Sequence, residues 1–359
     1  MAVLIIGALG SCGAPTPRTF EERWRADVGD VRRCTVIEGA AGIAIMVDGN
    51  RVYSLDPADG AVRWDRDLAA GSSDTICFYN DLILAGNWEG LLLAMDARNG
   101  KETWRTEIPD RIYSPLTVEE DVLYCGAGEK VYAINLAGRE VVWSTRLEEG
   151  AEVWAKPVVN DGRVFVQAGT HVFALDAGTG DKLWTYETTS YAGGNYYDPV
   201  AVHGGKVLTG TPTEDFLALD ERNGEVRWSS PALENVWNDR LVVEPYVHDG
   251  RVVFAFDAIL VLEETTEGPS SENAGRAVCL STRNGKVKWT YDAPSFGGVA
   301  FGDGHVYLAS GKDIHLLDIR SGRGAAVPIP GEYSTGLTAT ENAVYFVVEG
   351  GHLVCGEFR

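Results

Sequence analysis

His171–Trp184 reads HVFALDAGTGDKLW, and near-copies of this stretch recur along the chain. They are RVYSLDPADGAVRW ending at Trp64, LLLAMDARNGKETW at Trp104, KVYAINLAGREVVW at Trp143, DFLALDERNGEVRW at Trp228 and AVCLSTRNGKVKW at Trp289. The Asp-type residue precedes the Trp by eight positions every time, from Asp56, Asp96, Asn135, Asp176, Asp220 and Ser281. The run before the turn alternates as a strand does. Asp bonds its own backbone just ahead and Gly supplies positive φ, so the segment between is a hairpin connection. Trp opens the next strand and is large enough to fill the space between two neighbouring sheets.

Upstream of each copy lies another strand pair with its own Gly turn: KPVVNDGRVFVQAG (156–169), DPVAVHGGKVLTG (198–210) and EPYVHDGRVVFAF (244–256). Each repeat is therefore four short antiparallel strands in roughly forty residues, the pattern of a β-propeller blade. Outer strands fall at Trp24, Trp64, Trp104, Trp143, Trp184, Trp228, Trp289 and, without a Trp, near Ala326 after DIRSG (318–322). Residues 13–359 divided by eight give about 43 per blade, within the usual range. The fold expected is all-β: an eight-bladed propeller of four-stranded antiparallel blades. Trp24 has no blade before it, and 336–358 supplies three strands and stops. The N-terminal strand should join the C-terminal blade and close the ring, which removes two open sheet edges.

The domain plan is a signal-like segment (1–12), a flexible tether (13–23) and one propeller (24–359). MAVLIIGALGSC ends in Leu9-Gly10-Ser11-Cys12, which resembles the lipobox of bacterial lipoproteins, although no Lys or Arg precedes it. Cys12 is the expected lipidation site, and the run is too short to span a membrane as a helix. The distance from Trp228 to Trp289 is sixty-one residues, exceeding the repeat by about twenty. The polar stretch EETTEGPSSENAG (263–275) lies within it, between the second and third strands of the sixth blade. It reads as a surface loop, with a partner contact or partial lid as the alternative.

Lys plus Arg number 31 against 52 Asp plus Glu, a net charge of −21. Such a surface repels nucleic acid and anionic lipid head groups. Of the six cysteines, Cys279 and Cys355 align with Ala174 and read as buried spacers. Cys34 and Cys77 fall on first strands of adjacent blades, where a bridge stays open, and Cys125 on a second strand. No CxxC and no metal-type Cys/His spacing occurs.

In a four-stranded meander the one-to-two and three-to-four turns share one face, and here they are terse: NDG, HGG, HDG, GDG, ARNG, ERNG. The opposite face carries longer, dissimilar connections. On them lie Trp88, Arg111, Tyr113, Trp154, Lys156, Tyr191, Asn195, Tyr196, Tyr197, Trp237, Asn238, Arg240, Phe296 and Tyr333. Aromatics mixed with Arg and Asn on variable loops compose a recognition surface. No His cluster, nucleophile elbow, phosphate loop or paired-acid motif is evident, so no catalytic residue is assigned.

The repeats resemble the PQQ-like β-propeller repeat, most closely at Phe173–Trp184. Two branches of that family imply different functions. Quinoprotein dehydrogenases hold pyrroloquinoline quinone and Ca²⁺ at the ring centre, with an Asp base and adjacent paired cysteines. This chain lacks such a cysteine pair, and Asp198, Asn238, Asp239 and Glu244 are only positional counterparts. Non-enzymatic envelope lipoproteins, including the propeller subunit of the outer-membrane β-barrel assembly machinery, are similar in length, blade number and lipobox. The second resemblance implies a monomeric, extracytoplasmic, lipid-anchored scaffold with an envelope protein as partner, no cofactor, and membrane contact only through Cys12. A glycan- or peptide-binding propeller is a further alternative.

Overall fold

A computed structural model describes residues 19–29, 31, 34–39, 42–47, 51–68, 76–188, 199–210, 216–231, 236–241, 244–265, 268–294, 296–341 and 343–359. Its strands form eight antiparallel sheets arranged as an eight-bladed propeller; six are four-stranded meanders in chain order, blade 6 gains a fifth strand, and blade 8 borrows one from the N-terminus. Blade 1 runs through Cys34–Gly39, Gly42–Val47, Arg51–Leu55 and Val62–Asp67. Blades 2 to 7 span 76–107, 117–146, 158–187, 201–230, 246–294 and 298–328. Blade 8 takes three strands from 333–358 and its outer strand from Phe20–Asp27. Phe20 pairs with Phe358, Trp24 with Cys355 and Asp27 with His352, so the ring closes as expected. The closing strand starts at Phe20, four residues inside the stretch expected to be tether.

The Asp-to-Trp unit works as a lock between blades. Asp176 Oδ1 accepts the Gly178 N–H at 2.9 Å, and Gly180 N–H returns to the Asp176 carbonyl at 2.8 Å. The indole of Trp143, one blade earlier, donates to the Ala177 carbonyl at 2.9 Å. Its ring lies against Gly180, whose φ is +76°, where an added Cβ would come within 2.6 Å of the indole. The same donation recurs from Trp24 to Pro57, Trp64 to Ala97, Trp184 to Glu221, Trp228 to Thr282 and Trp289 to Ile319, at 2.9–3.1 Å. Asn135-Leu-Ala-Gly-Arg139 places its Gly one residue early, and Arg139 takes the positive φ (59°) instead. There the Arg139 guanidinium covers Trp104 at 5.9 Å from the ring centroid.

A β-bulge next to the small residue opposite each Trp gives the outer strand its turn. It lies between Ala174 and Leu175 in blade 4, with equivalents in blades 1, 2, 3, 5 and 6. Blade 7 pairs straight through, His315 with Ala326, Leu316 with Ala325 and Leu317 with Gly324. The blade that lacks the Trp also lacks the bulge. The seam to blade 8 is filled by Tyr307 and Phe358 (ring centroids 5.8 Å apart), backed by Phe20 and Phe346.

The stretch expected to be a loop in blade 6 is strand. Arg251–Thr265 and Gly268–Ser281 form one long hairpin whose register holds from Arg251↔Ser281 to Thr265↔Gly268. Val236–Leu241 pairs along its outer half. Polar composition pointed to a loop, but the ladder is made by backbone N–H and C=O groups, which polar residues also carry.

The terse turns take the hairpin geometry their sequences demand. Asp161-Gly162, Asp249-Gly250 and Asp303-Gly304 each have two consecutive positive φ values near +47° and +70°. Cys279 and Cys355 are buried spacers opposite Trp289 and Trp24. None of the described cysteines, Cys34, Cys77, Cys125, Cys279 and Cys355, is in a disulfide.

Candidate binding face and channel mouth

The innermost strands of the blades, together with residues that lead into them, line a central cavity of about 550 Å³. Its wall is mainly apolar: Pro115, Trp154, Pro199, Pro245, Tyr246 and Phe301 are among its lining residues. Tyr246 stacks on Phe301 with ring centroids 4.9 Å apart and planes 3° from parallel. Pro115, Pro199 and Pro245 carry no N–H and add only carbonyls to the wall. Lys156 and Glu244 are the two charged side chains among the described lining residues. They pair with Nζ 3.3 Å from Oε1, and both are partly exposed.

The connections on this face are tied down by backbone bonds to the turn between the second and third strands of blade 3. Gly128 N–H donates to the Arg111 carbonyl at 3.0 Å, and Val153 N–H to the Gly128 carbonyl at 2.8 Å. Gly126 N–H donates to Ser114 Oγ at 2.6 Å. A side chain at Gly126 would run into Val153, so glycine lets the two connections close together. Between them Tyr113 stacks on Trp154, centroids 4.1 Å apart and planes 15° from parallel. The Trp154 indole donates to Glu152 Oε2 at 3.1 Å. Burial, with the Glu152 charge beside it, pushes the Tyr113 phenol above its usual range. Close by, burial would raise the Asp110 carboxyl, but bonds from Lys130 Nζ (2.8 Å) and Tyr132 hold it below the usual range.

The structure brings several of the expected residues into one arc over blades 2 to 4. Trp88 is 40% exposed on a turn whose Asn87 carbonyl accepts the Ile112 N–H at 3.1 Å. Arg111 is exposed beside it, then come the Tyr113–Trp154 stack and Lys156. Phe296 and Tyr333 stand apart from that arc in the chain and are buried, as Tyr113 also is at 8% exposed. Phe296 fills the room left by Gly275, and Tyr333 covers Gly297 and Gly298 while donating to the Gly297 carbonyl at 3.2 Å. Tyr191, Asn195, Tyr196, Tyr197 and Asp198 lie outside the described residues. Trp237, Asn238, Asp239 and Arg240 fall on a described strand whose side chains lie outside them. Glu244, noted in the sequence only as a positional counterpart, is the partner of Lys156 across 88 residues. No spacing signal could have paired the two.

The sequence profile of the family described as outer membrane protein assembly factor BamB matches residues 48–138 and 89–326, well over half of the chain. The chain belongs to this family. An outer membrane protein assembly factor BamB from Nitrosomonas eutropha is 25% identical over 240 residues, covering 64% of this chain and 54% of that protein. The chain thus spans about half the length of that family member. The crystal structure of BamB from Moraxella catarrhalis superposes with a TM-score of 0.71 at 15% identity, over 94% of this chain and 100% of that one. That likeness shows the fold. The PQQ-like repeat is shared more widely. A quinohemoprotein alcohol dehydrogenase from Comamonas testosteroni is 31% identical over 134 residues, 35% of this chain and 19% of that enzyme.

The cofactor of that enzyme branch is tested by the channel wall. Ca²⁺ takes six to eight oxygen ligands, several of them carboxylates. Glu244 is the single carboxylate among the described lining residues, and Lys156 engages it. The described residues do not fit a quinone–Ca²⁺ site, and no chemistry is derived through one.

Proposed function

We propose that this chain is a non-enzymatic assembly scaffold of the cell envelope, which docks a protein partner on its aromatic face. Family membership supports the scaffold role, and the relatives named as outer membrane protein assembly factors support an outer-membrane assembly setting. The observation that carries the choice of face is the Tyr113–Trp154 stack, anchored by backbone bonds and bordered by exposed Trp88 and Arg111. A rigid, partly exposed aromatic group is what a protein interface uses as an anchor. The scaffold is extracytoplasmic, acts as a single propeller and is held by lipid at Cys12.

That anchorage would set the orientation of the ring. Thr19 and Arg359 exchange backbone hydrogen bonds at 2.9 and 3.0 Å where the outer strand of blade 8 begins, on the terse-turn side. A lipid tether leaving from Thr19 turns the terse face to the membrane and the aromatic face away from it.

Photo-cross-linking tests this reading. A photoreactive residue at Trp88 should give a discrete adduct with an envelope protein, and one at Asp161 on the terse face should not. Equal labelling from both positions, or none from Trp88, would remove the docking role. The second reading, a quinoprotein oxidoreductase, is favoured by the 31% identity to the Comamonas enzyme. Titration with pyrroloquinoline quinone and Ca²⁺ separates the two. A ligand at a hundred times its Kd stabilises the fold by about 2.7 kcal/mol, and the scaffold reading expects no such change in a thermal melt.

A further inference from the structure

We infer that the long hairpin of blade 6 takes up a basic, extended strand of the partner protein along the open edge of Gly268–Asn273. This rests on the docking role proposed above and gives it a second contact, made through backbone rather than aromatic groups. In this blade the strands run in the order Val236–Leu241, Arg251–Thr265, Gly268–Ser281 and Val287–Pro294. The last of them stops at the pair Ala274↔Pro294, where proline has no N–H to carry the ladder on. Gly268–Ser281 continues past it, paired with Arg251–Thr265 through Asn273↔Ile259, Ser271↔Val261 and Pro269↔Glu264. The other side of Gly268–Asn273 meets no strand among the described residues.

The backbone of that edge points outward in a fixed order. Ser281 N–H donates to the Lys286 carbonyl at 3.0 Å, and the Ser281 carbonyl accepts the Gly285 N–H at 2.9 Å, both on the side of Val287–Pro294. Alternate residues of a strand turn their N–H and C=O to the same side. Counting back from Ser281 in twos, Asn273 and Ser271 each turn a donor and an acceptor to the open side, and Pro269 an acceptor alone. Such a row is a template for a further strand. Charge narrows what can occupy it. From Asp257 to Gly275 the hairpin carries Asp257, Glu263, Glu264, Glu267 and Glu272 and no Lys, Arg or His. Arg240 is in register with Asp257, and none of these strands puts a cation in register with Glu263, Glu264 or Glu272. A second copy of the chain would set the same acidic run against this one, which like charges oppose, whereas a lysine-bearing strand is drawn in. The position suits the docking role. Asp257–Thr265 prolongs its strand by about 30 Å at roughly 3.3 Å per residue, on the side of the ring where the second-to-third turns carry Trp88.

The test uses the whole chain and a labelled short peptide of alternating valine and lysine. Matched peptides carry glutamate in place of lysine, or methyl groups on the backbone amides. Fluorescence anisotropy should show the lysine peptide binding, with the glutamate and N-methylated peptides about tenfold weaker or worse, and binding should fall as salt rises. Ser271→Pro removes a donor of the open edge that the hairpin's own ladder does not use, and should weaken binding about tenfold. Ser271→Ala keeps the backbone and should bind as the parent does. Glu264→Lys combined with Glu272→Lys should shift the preference toward the glutamate peptide. Thermal melts identify any variant that fails to fold, and if Ser271→Pro does, the N-methylated peptide decides in its place. The assignment is overturned if the lysine peptide does not bind, if the glutamate or N-methylated peptide binds as tightly, or if a folded Ser271→Pro binds as the parent does. In each of those cases a photoreactive residue at Trp88 that still captures an envelope protein leaves the docking role standing. If Trp88 captures nothing either, both fall.

Discussion

An indole nitrogen that reaches a carbonyl on the next blade satisfies its own donor and fixes the spacing of two sheets at once. Replacing Trp184 with Phe keeps most of the buried area and removes the bond to the Glu221 carbonyl, 3.1 Å away. The expected loss is about 1–2 kcal/mol, read as a lower urea midpoint. Gly180→Ala should cost more, about 2–4 kcal/mol, because positive φ and overpacking add. It places a Cβ within 2.6 Å of the Trp143 ring at φ +76°. The thiols offer a second prediction. Burial pushes Cys77, Cys125 and Cys279 up to about 12 and Cys355 up to about 11. The folded chain therefore holds these protons more tightly than the unfolded one. Their stabilising contribution is complete below a pH of about 8.5, the ordinary thiol value, and is lost as pH rises toward 11 and 12. Melting temperature should decline over that window, less so in Cys279→Ala. At pH 8 iodoacetamide should leave these four residues unmodified until denaturant is added, as peptide mass spectrometry would show.

Blade 7 shows how one hairpin compensates for a missing bulge. With the strands paired straight through, Gly324 faces the backbone of Leu316 so closely that any Cβ would collide with its carbonyl. Gly324→Ala should therefore destabilise by more than about 3 kcal/mol through forced backbone movement, whereas Ala326→Ser should be nearly neutral. Comparing their denaturation midpoints checks this. The contrast also marks what the sequence could and could not tell. The Asp–turn–Gly–Trp unit was legible because each part acts on its own turn or its nearest neighbour, and eight blades follow from counting it. The blade 6 hairpin was missed because its polar stretch shows no alternating apolar pattern in the sequence. Trp88, Arg111, Tyr113 and Trp154 lie on neighbouring connections of one face, as the strand count alone had placed them. Phe296 and Tyr333 looked the same in sequence. Their burial depends on glycines, Gly275 and Gly297–Gly298, that only the folded register brings beneath them.

The ring is a circle of nearest-neighbour contacts, so its stability depends on closing. The closing strand Phe20–Asp27 carries much of that contact. Trp24 locks blade 8 to the Pro57 carbonyl of blade 1, while Phe20 packs on Phe346 and Phe358 with centroids 5.3 and 5.2 Å away. Arg23 pairs with Glu357, though at an exposed site that adds little. Deleting residues 19–27 removes two large aromatic groups, each worth about 3–5 kcal/mol when truncated in a core. It also bares the edge of His352–Phe358, a free row of N–H and C=O groups that recruits another strand. The shortened chain should melt at lower temperature and elute as mixed oligomers. A synthetic peptide of residues 19–29 should restore both the monomer and the melt, since the strand is joined to the rest of blade 8 by pairing and packing alone. The same peptide with Trp24→Ala should pair but restore less, because the lock to blade 1 is missing. A shortened chain that stayed monomeric with an unchanged melt would mean that the seven complete blades close without the strand, and the circle of locks would then be far more tolerant than its repeats imply.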